Sequence, residues 1–124
     1  MSSIHRIFVV NTTRLKRIEK GENALIRRDL KKVDGTDLLL STLTTFTAEI
    51  LQNGKVIETL TYPSTKLRQG STTSQAELEI TTTVSNQFRK GKVCVRWTLV
   101  APSTVFTDED IQKDIITEEV LDVV

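Results

Sequence analysis

The chain has 124 residues, a formal net charge of +1, 38% apolar residues and 27% charged residues. This length and composition suit one folded domain with a packed core and exclude a chain that is disordered throughout. No apolar run is long enough to cross a bilayer and the first residues show no signal-peptide pattern, so we expect folding in a cytoplasm. The single cysteine, Cys94, excludes an intrachain disulfide.

The residue types favour an all-β fold. Threonine occurs nineteen times and alanine only four times. Threonine is β-branched and suits strands, whereas alanine is the best helix former. Short strand-like segments alternate with turn signals, which is typical of an antiparallel β-sandwich of about seven strands. We therefore predict that fold class.

The predicted elements follow one another along the chain. Strands are predicted over 4–10, 23–31, 46–52, 55–62, 75–80, 92–100 and 114–123. Turns are predicted at 34–35, 68–70 and 90–91, a mobile loop over 63–74, and one or two helical turns capped by a threonine over 82–88.

The strongest local signal is Asn53-Gly54, which lies between two strand-like segments. This dipeptide suits a type I′ turn, in which both central residues have positive φ. A regular register would place Ile50 opposite Ile57 and would also place Glu49 opposite Glu58. Two acids directly opposed are unfavourable, so we expect a neighbouring base or a partner at this point.

Residues 92–100 alternate with the period of a half-buried strand. The apolar face, which we expect to meet the core, consists of Val93, Val95, Trp97 and Leu99. Cys94 lies on the opposite face, and we expect it to be a packing residue rather than a nucleophile.

The sequence contains none of the usual catalytic motifs. His5 is the only histidine, and no partner can be argued that would make it a general base. The acids of 108–119 are spaced like a calcium loop, but Lys113 takes the place of the required glycine. We therefore expect neither an enzyme nor a metal or cofactor site.

Charge is distributed unevenly: residues 1–35 carry a net charge of +5, and residues 103–124 carry −6. Opposite-sign ends can bind other copies head to tail. The basic segment has one aromatic residue, Phe8, which gives little surface for base stacking, so we do not expect a nucleic-acid partner. The residues that we expect to take part in assembly are Arg14, Lys16, Arg17, Arg27, Arg28, Lys31, Lys32, Phe106, Asp108, Asp110, Asp114, Ile116 and Val120.

We divide the chain into a β-sandwich domain over 1–106 and an acidic strand or arm over 107–124. Two alternatives remain for the acidic segment. It either extends as an arm that pairs with a neighbouring copy, or forms the last strand of its own domain.

The order of these features resembles a known family. The first predicted strand of the pattern is preceded by Gly21-Glu22 and followed by Asp34-Gly35-Thr36-Asp37-Leu38-Leu39. The next features are the Asn53-Gly54-Lys55 turn and the strand at 76–80. The last is Phe88-x-x-Gly91-x-Val93, which lies shortly before Trp97. This pattern is similar to the small immunoglobulin-like domain of tailed-phage structural proteins, including the N-terminal domain of baseplate upper proteins.

The resemblance implies an immunoglobulin-like sandwich that serves as a structural subunit of a tailed-phage virion, in a ring, the neck or the tail baseplate. Its partners would be copies of itself and other virion proteins, with no membrane and no small-molecule substrate. It would be assembled in the host cytoplasm and reside in the virion. The alternative is a carbohydrate- or receptor-binding module, which would need exposed aromatic side chains around a groove.

Overall fold

A computed structural model of the chain describes residues 7–10, 15–32, 35–102 and 111–124. The strands of these segments are β1 (Ile7–Val10), β2 (Lys16–Ile18), β3 (Ala24–Lys32), β4 (Thr45–Gln52), β5 (Lys55–Thr61), β6 (Leu67–Gln69), β7 (Gln75–Ile80), β8 (Gly91–Pro102) and β9 (Ile111–Val123). The helices are a 3₁₀ turn, Leu40–Thr42, and a one-turn α-helix, α1 (Thr82–Ser85).

The described strands form two sheets. Sheet one has the order β1-β3-β7-β6, and sheet two has the order β2-β9-β8-β4-β5. All pairs are antiparallel except β2 with β9, which run parallel. The predicted all-β, mainly antiparallel fold is confirmed at this level.

Both sheets contribute to one hydrophobic core. Period-two alternation turns Leu30 of β3 and Leu78 of β7 inward from sheet one, and both are fully buried. From sheet two, Trp97 stacks on Phe46 with ring centroids 5.8 Å apart, and Tyr62 packs against Phe46 at 5.9 Å. The predicted inward face of β8 is confirmed, because each of its apolar side chains is buried; these are Val93, Val95, Trp97 and Leu99.

The hairpin turn has the predicted conformation, but its register was predicted wrongly. Asn53 has φ 53° and Gly54 has φ 78°, as a type I′ turn requires. A β-bulge between Ile50 and Leu51 in the register leaves Ile57 as an extra residue, so Ile50 faces Glu58 and not Ile57. Glu49 is consequently opposite Thr59, and the predicted opposition of two acids does not occur.

Each of these two acids has its own basic partner. Glu49 accepts a hydrogen bond from Arg96 Nε at 2.7 Å, and Glu58 lies 3.5 Å from Lys66 Nζ. The base that was expected between two opposed acids is therefore replaced by a separate base for each acid. The bulge separates the carboxylates and allows each to reach a different base.

The segment 63–74 was predicted as a loop with a turn at 68–70, and this is wrong for its middle part. Residues 67–69 form β6, which pairs with β7, and Leu67 is fully buried. Three residues show too little alternation to be recognised from the sequence. The helical turn at α1 is confirmed, with Thr81 as its N-cap accepting from the Val84 amide at 3.4 Å.

The acidic C-terminal segment forms the last strand of its own sheet from Ile111 onward. β9 pairs with β8 along its whole length and with β2 at its end. This is the second of the two alternatives, and it joins the predicted arm to the domain. Backbone pairing with two strands explains why an acidic segment is ordered there.

We predict that Gly54→Val lowers the free energy of unfolding by about 1–2 kcal/mol, because a β-branched residue resists positive φ. No atom lies within 4 Å of the position that a Cβ would take, so the cost is conformational rather than steric. Gly54→Asn is the matched control and should cost less, since asparagine tolerates this conformation. Urea unfolding monitored by Trp97 fluorescence measures both, and equal stabilities of Gly54→Val and wild type would contradict the prediction.

Candidate interaction surface

An ion pair joins the two sheets. The alternation of β3 turns Arg28 toward the interior, and its side chain is only 5% exposed. Arg28 Nε donates to both carboxylate oxygens of Glu118 on β9 at 3.0 Å. Trp97 Nε1 of β8 donates to the same carboxylate at 2.6 Å. Glu118 therefore fixes β9 against both β8 and the opposite sheet.

Sheet two presents an outer face rich in threonine. One row across the sheet places Thr61, Thr47, Thr98 and Ile115 side by side, and each is at least partly exposed. The next row contains Thr59, Glu49, Arg96 and Thr117. Lys92 of β8 also pairs with Asp122 of β9 at 3.3 Å on this face, so the short threonine side chains surround two charged pairs.

The Glu49–Arg96 pair on this face is ionised at neutral pH. The hydrogen bond from Arg96 holds the pKa of Glu49 below its usual value, and the same bond raises the pKa of Arg96. Both groups therefore stay ionised over the physiological range.

Cys94 lies one row further along the same face, between Leu51 and Glu119. It is partly buried, and its pKa is raised by burial and by the Glu119 carboxylate. A raised pKa leaves less of the nucleophilic thiolate at neutral pH. This environment agrees with the packing role predicted for Cys94.

Exposed apolar side chains concentrate on sheet two. Of the four large apolar side chains that are exposed in the described segments, Ile115 (55%) and Val56 (39%) lie on strands of this sheet, and Val124 (46%) follows β9 directly. The fourth, Leu39 (40%), lies in the connection between β3 and β4. Ile115 and Val56 are separated by β8 and β4, so they are single exposed apolar residues rather than one continuous patch.

The outer face of sheet one is instead a ladder of ion pairs. Glu77 of β7 accepts from Arg27 Nε at 2.9 Å and from Arg68 Nε at 3.2 Å. Arg68 also binds Glu79. These charges satisfy one another within the chain, which leaves this face polar and solvated.

Two depressions are lined entirely by residues that the structure describes. One, of about 350 Å³, is lined by Gln52, Asn53, Lys55, Ile57, Gln87 and Arg89. The other, of about 620 Å³, is lined by Lys16, Asn23, Ala24, Leu25, Arg68, Glu79, Ile80, Thr81, Thr82 and Thr83. Neither of these two linings includes an aromatic residue.

The predicted assembly residues fall in several places. Arg14, Phe106, Asp108 and Asp110 lie outside the described residues, as does His5. Lys16 and Arg17 are exposed on β2, Lys32 is exposed on β3, and Lys31 pairs with Asp37. The structure does not gather these bases into one patch.

Two of the predicted contact residues are occupied within the chain. Val120 is 2% exposed and belongs to the core, so it is unsuited to anchor a partner. Arg28 is buried and bound to Glu118, so it does not present its charge to a neighbour. Ile116 packs against the core from its edge, and Asp114 is half-buried on the same face of β9.

Sequence reasoning missed the contact between Glu118 and the buried Trp97. Glu118 and Trp97 were not expected to bind each other, because the bond joins different strands of the sheet. Ile115 gave a usable signal, since it alternates out of phase with Ile116 and Val120 along β9.

No protein-family model, curated protein or solved structure matches the chain. Among the described residues, no helix is long and apolar enough to span a membrane. The same segments contain no group of three or more potential metal-binding side chains.

We predict that Glu118→Leu lowers the free energy of unfolding by about 3 kcal/mol or more, because it removes the carboxylate that binds the buried Arg28 guanidinium. The double variant Arg28→Met/Glu118→Leu should lose less than the sum of the two single losses, which a double-mutant cycle measures. Arg27→Ala is the matched control, since its side chain is 58% exposed and should contribute about 1 kcal/mol or less. Additive single losses would contradict a direct Arg28–Glu118 interaction.

The ladder on sheet one predicts a pH effect. Hydrogen bonds and charge from Arg27, followed by Arg68, hold the pKa of Glu77 below its usual value of 4.5. A carboxyl group whose pKa is lower in the folded state than in the unfolded state stabilises the fold at pH values above the unfolded-state pKa. That stability is lost as the pH falls through the folded-state pKa. The stability difference between wild type and Glu77→Gln should therefore be full at neutral pH and shrink below 4.5. Urea unfolding along a pH series measures it, and a constant difference would refute the assignment.

Proposed function

We propose that this chain is a structural subunit of a tailed-phage virion, with an immunoglobulin-like sandwich that acts through protein–protein contacts rather than catalysis. The proposed location is a ring, the neck or the tail baseplate, assembled in the host cytoplasm. The proposal combines the motif resemblance of the sequence with the strand order and the surface of sheet two.

The strand order supports the immunoglobulin-like assignment. Immunoglobulin sandwiches pair strands A, B, E and D in one sheet and strands C, F and G in the other, with C′ added in variable-type domains. If β1 and β2 are the two halves of strand A, sheet one has the order A-B-E-D and sheet two continues G-F-C-C′. The nine described strands fit this scheme without a rearrangement.

The aromatic centre supports the same assignment. In antibody domains, a tryptophan on strand C packs against a disulfide between strands B and F. Here Phe46 on β4 and Trp97 on β8 occupy the strands that correspond to C and F, and their rings stack between the sheets. An aromatic pair thus fills the centre of a sandwich whose single cysteine lies on the outer face.

The observation that carries the proposal is the contrast between the two outer faces. Sheet one covers its face with ion pairs that are satisfied within the chain. Sheet two presents threonines, Ile115 and Val56 around two charged pairs, Glu49–Arg96 and Lys92–Asp122. A rigid frame with one solvated face and one face suited to contacts is what a subunit of a larger assembly requires.

The test is quantitative mass spectrometry of density-gradient-purified particles from a lysate of cells infected by the phage that encodes the chain. We expect the chain to sediment with the particles at a constant ratio to the other structural proteins. Recovery of the chain only in the soluble fraction would overturn the proposal.

A matched pair of variants connects particle incorporation to sheet two. Thr98→Arg places a charge in the middle of the outer face of sheet two and should reduce incorporation. Leu25→Arg places the same charge opposite Glu79 on the outer face of sheet one and should leave incorporation unchanged. Circular dichroism of the purified variants checks that both are folded.

A further inference from the structure

One edge of β9 is long and open in the described part of the chain. β8 covers one edge of β9 along the whole strand, whereas β2 covers the other edge only from Leu121 to Val123. No described strand pairs with that edge between Ile115 and Val120. β1 passes beside β9 but pairs with β3 in sheet one. An open edge of this kind is a template for another strand.

The other edge strands of the described fold are poorly suited to such pairing. β6 has three residues and β1 has four. β5 carries the bulge at Ile57 and is soon followed by Pro63, and both features discourage strand addition. β9 also carries a bulge, at Val120, but its pairing is regular from Ile115 to Glu119, where the proposed contact lies.

We propose that β9 pairs antiparallel with β9 of a second copy, about a two-fold axis through Ile115, so that sheet two continues across both copies. This inference rests on the proposed function, because it names the partner and the contact of an assembling subunit. A two-fold axis perpendicular to the sheet keeps the outer faces on the same side. Residues that face outward in one copy therefore lie beside outward-facing residues of the other.

This register brings complementary side chains together. Ile115, the most exposed of the large apolar side chains described, lies against Ile115 of the second copy. Lys113 lies opposite Thr117 of the second copy and diagonal to its Glu119, within reach of a long side chain. On the inner face, Asp114 lies opposite Ile116. No two like charges are directly opposed.

The next register that also keeps the outer faces of the two copies on the same side is less favourable. An axis through Ile116 would set Asp114 directly opposite Glu118 of the second copy, and like charges in that position repel. It would also place Ile115 against Thr117, which leaves less apolar surface covered. The axis through Ile115 avoids both disadvantages.

The test uses the full-length chain and two opposite substitutions at the axis. Ile115→Glu and Ile115→Lys each place two like charges side by side in the dimer and remove the isoleucine contact. Each should raise the dimer dissociation constant about a hundredfold or more, as measured by sedimentation equilibrium. An equimolar mixture of the two variants should recover a mixed dimer, which native mass spectrometry identifies by its mass.

Val56→Glu is the matched control, because Val56 is also exposed on sheet two but lies on β5 at the opposite edge. It should leave the dissociation constant unchanged. Unfolding midpoints close to that of wild type establish that the Ile115 variants are folded, as expected for a side chain that is 55% exposed.

Three results would overturn the inference: a monomeric wild-type chain, an oligomer insensitive to both Ile115 variants, or two variants that fail to recover a mixed dimer. The particle experiment is independent of these outcomes. A chain found in particles but lacking the β9 contact would retain the proposed function and lose this inference.

Discussion

The carboxylate of Glu118 is the contact on which the arrangement of the two sheets depends. It accepts hydrogen bonds from Arg28 of sheet one and from Trp97 of sheet two, and so it joins three strands from both layers. A guanidinium that is 95% withdrawn from solvent requires such a partner, because an isolated buried charge is costly. The acidic β9 strand is consequently held where the basic β3 strand can reach it.

This contact gives the uneven charge distribution a role within the chain. Opposite charges at the two ends of a chain can attract other molecules, but they can also attract each other. In this fold the second possibility is realised in part, because Arg28 of the basic third binds Glu118 of the acidic segment. β2 and β9 also pair directly, which joins the two ends through the backbone. The charges that remain outside are distributed over both sheets and do not form one patch.

Drawing β9 into the sheet also determines which apolar residues stay available. Val120 and Leu121 enter the core, where a partner cannot reach them. Ile115 turns outward instead, beside a threonine-rich face and next to an open strand edge. Apolar contact and backbone pairing thus coincide at one place on the molecule. Surface charges contribute less to binding because salt screens them. An assembling surface of this kind gains its affinity from main-chain hydrogen bonds and its register from side chains.

The sequence by itself determined the features that depend on neighbouring residues. Alternation predicted the inward face of β8, and Asn53-Gly54 predicted the positive φ values of the turn, because period and turn chemistry are local. Only the tertiary structure decided the bulge at Ile57, the short β6 strand and the burial of Arg28. Arg28 depends on Glu118, 90 residues away in sequence. The bulge and β6 depend on pairing with the neighbouring strands β4 and β7. No local pattern specifies which strand will lie beside a residue, so these features appear only when the sheets are assembled.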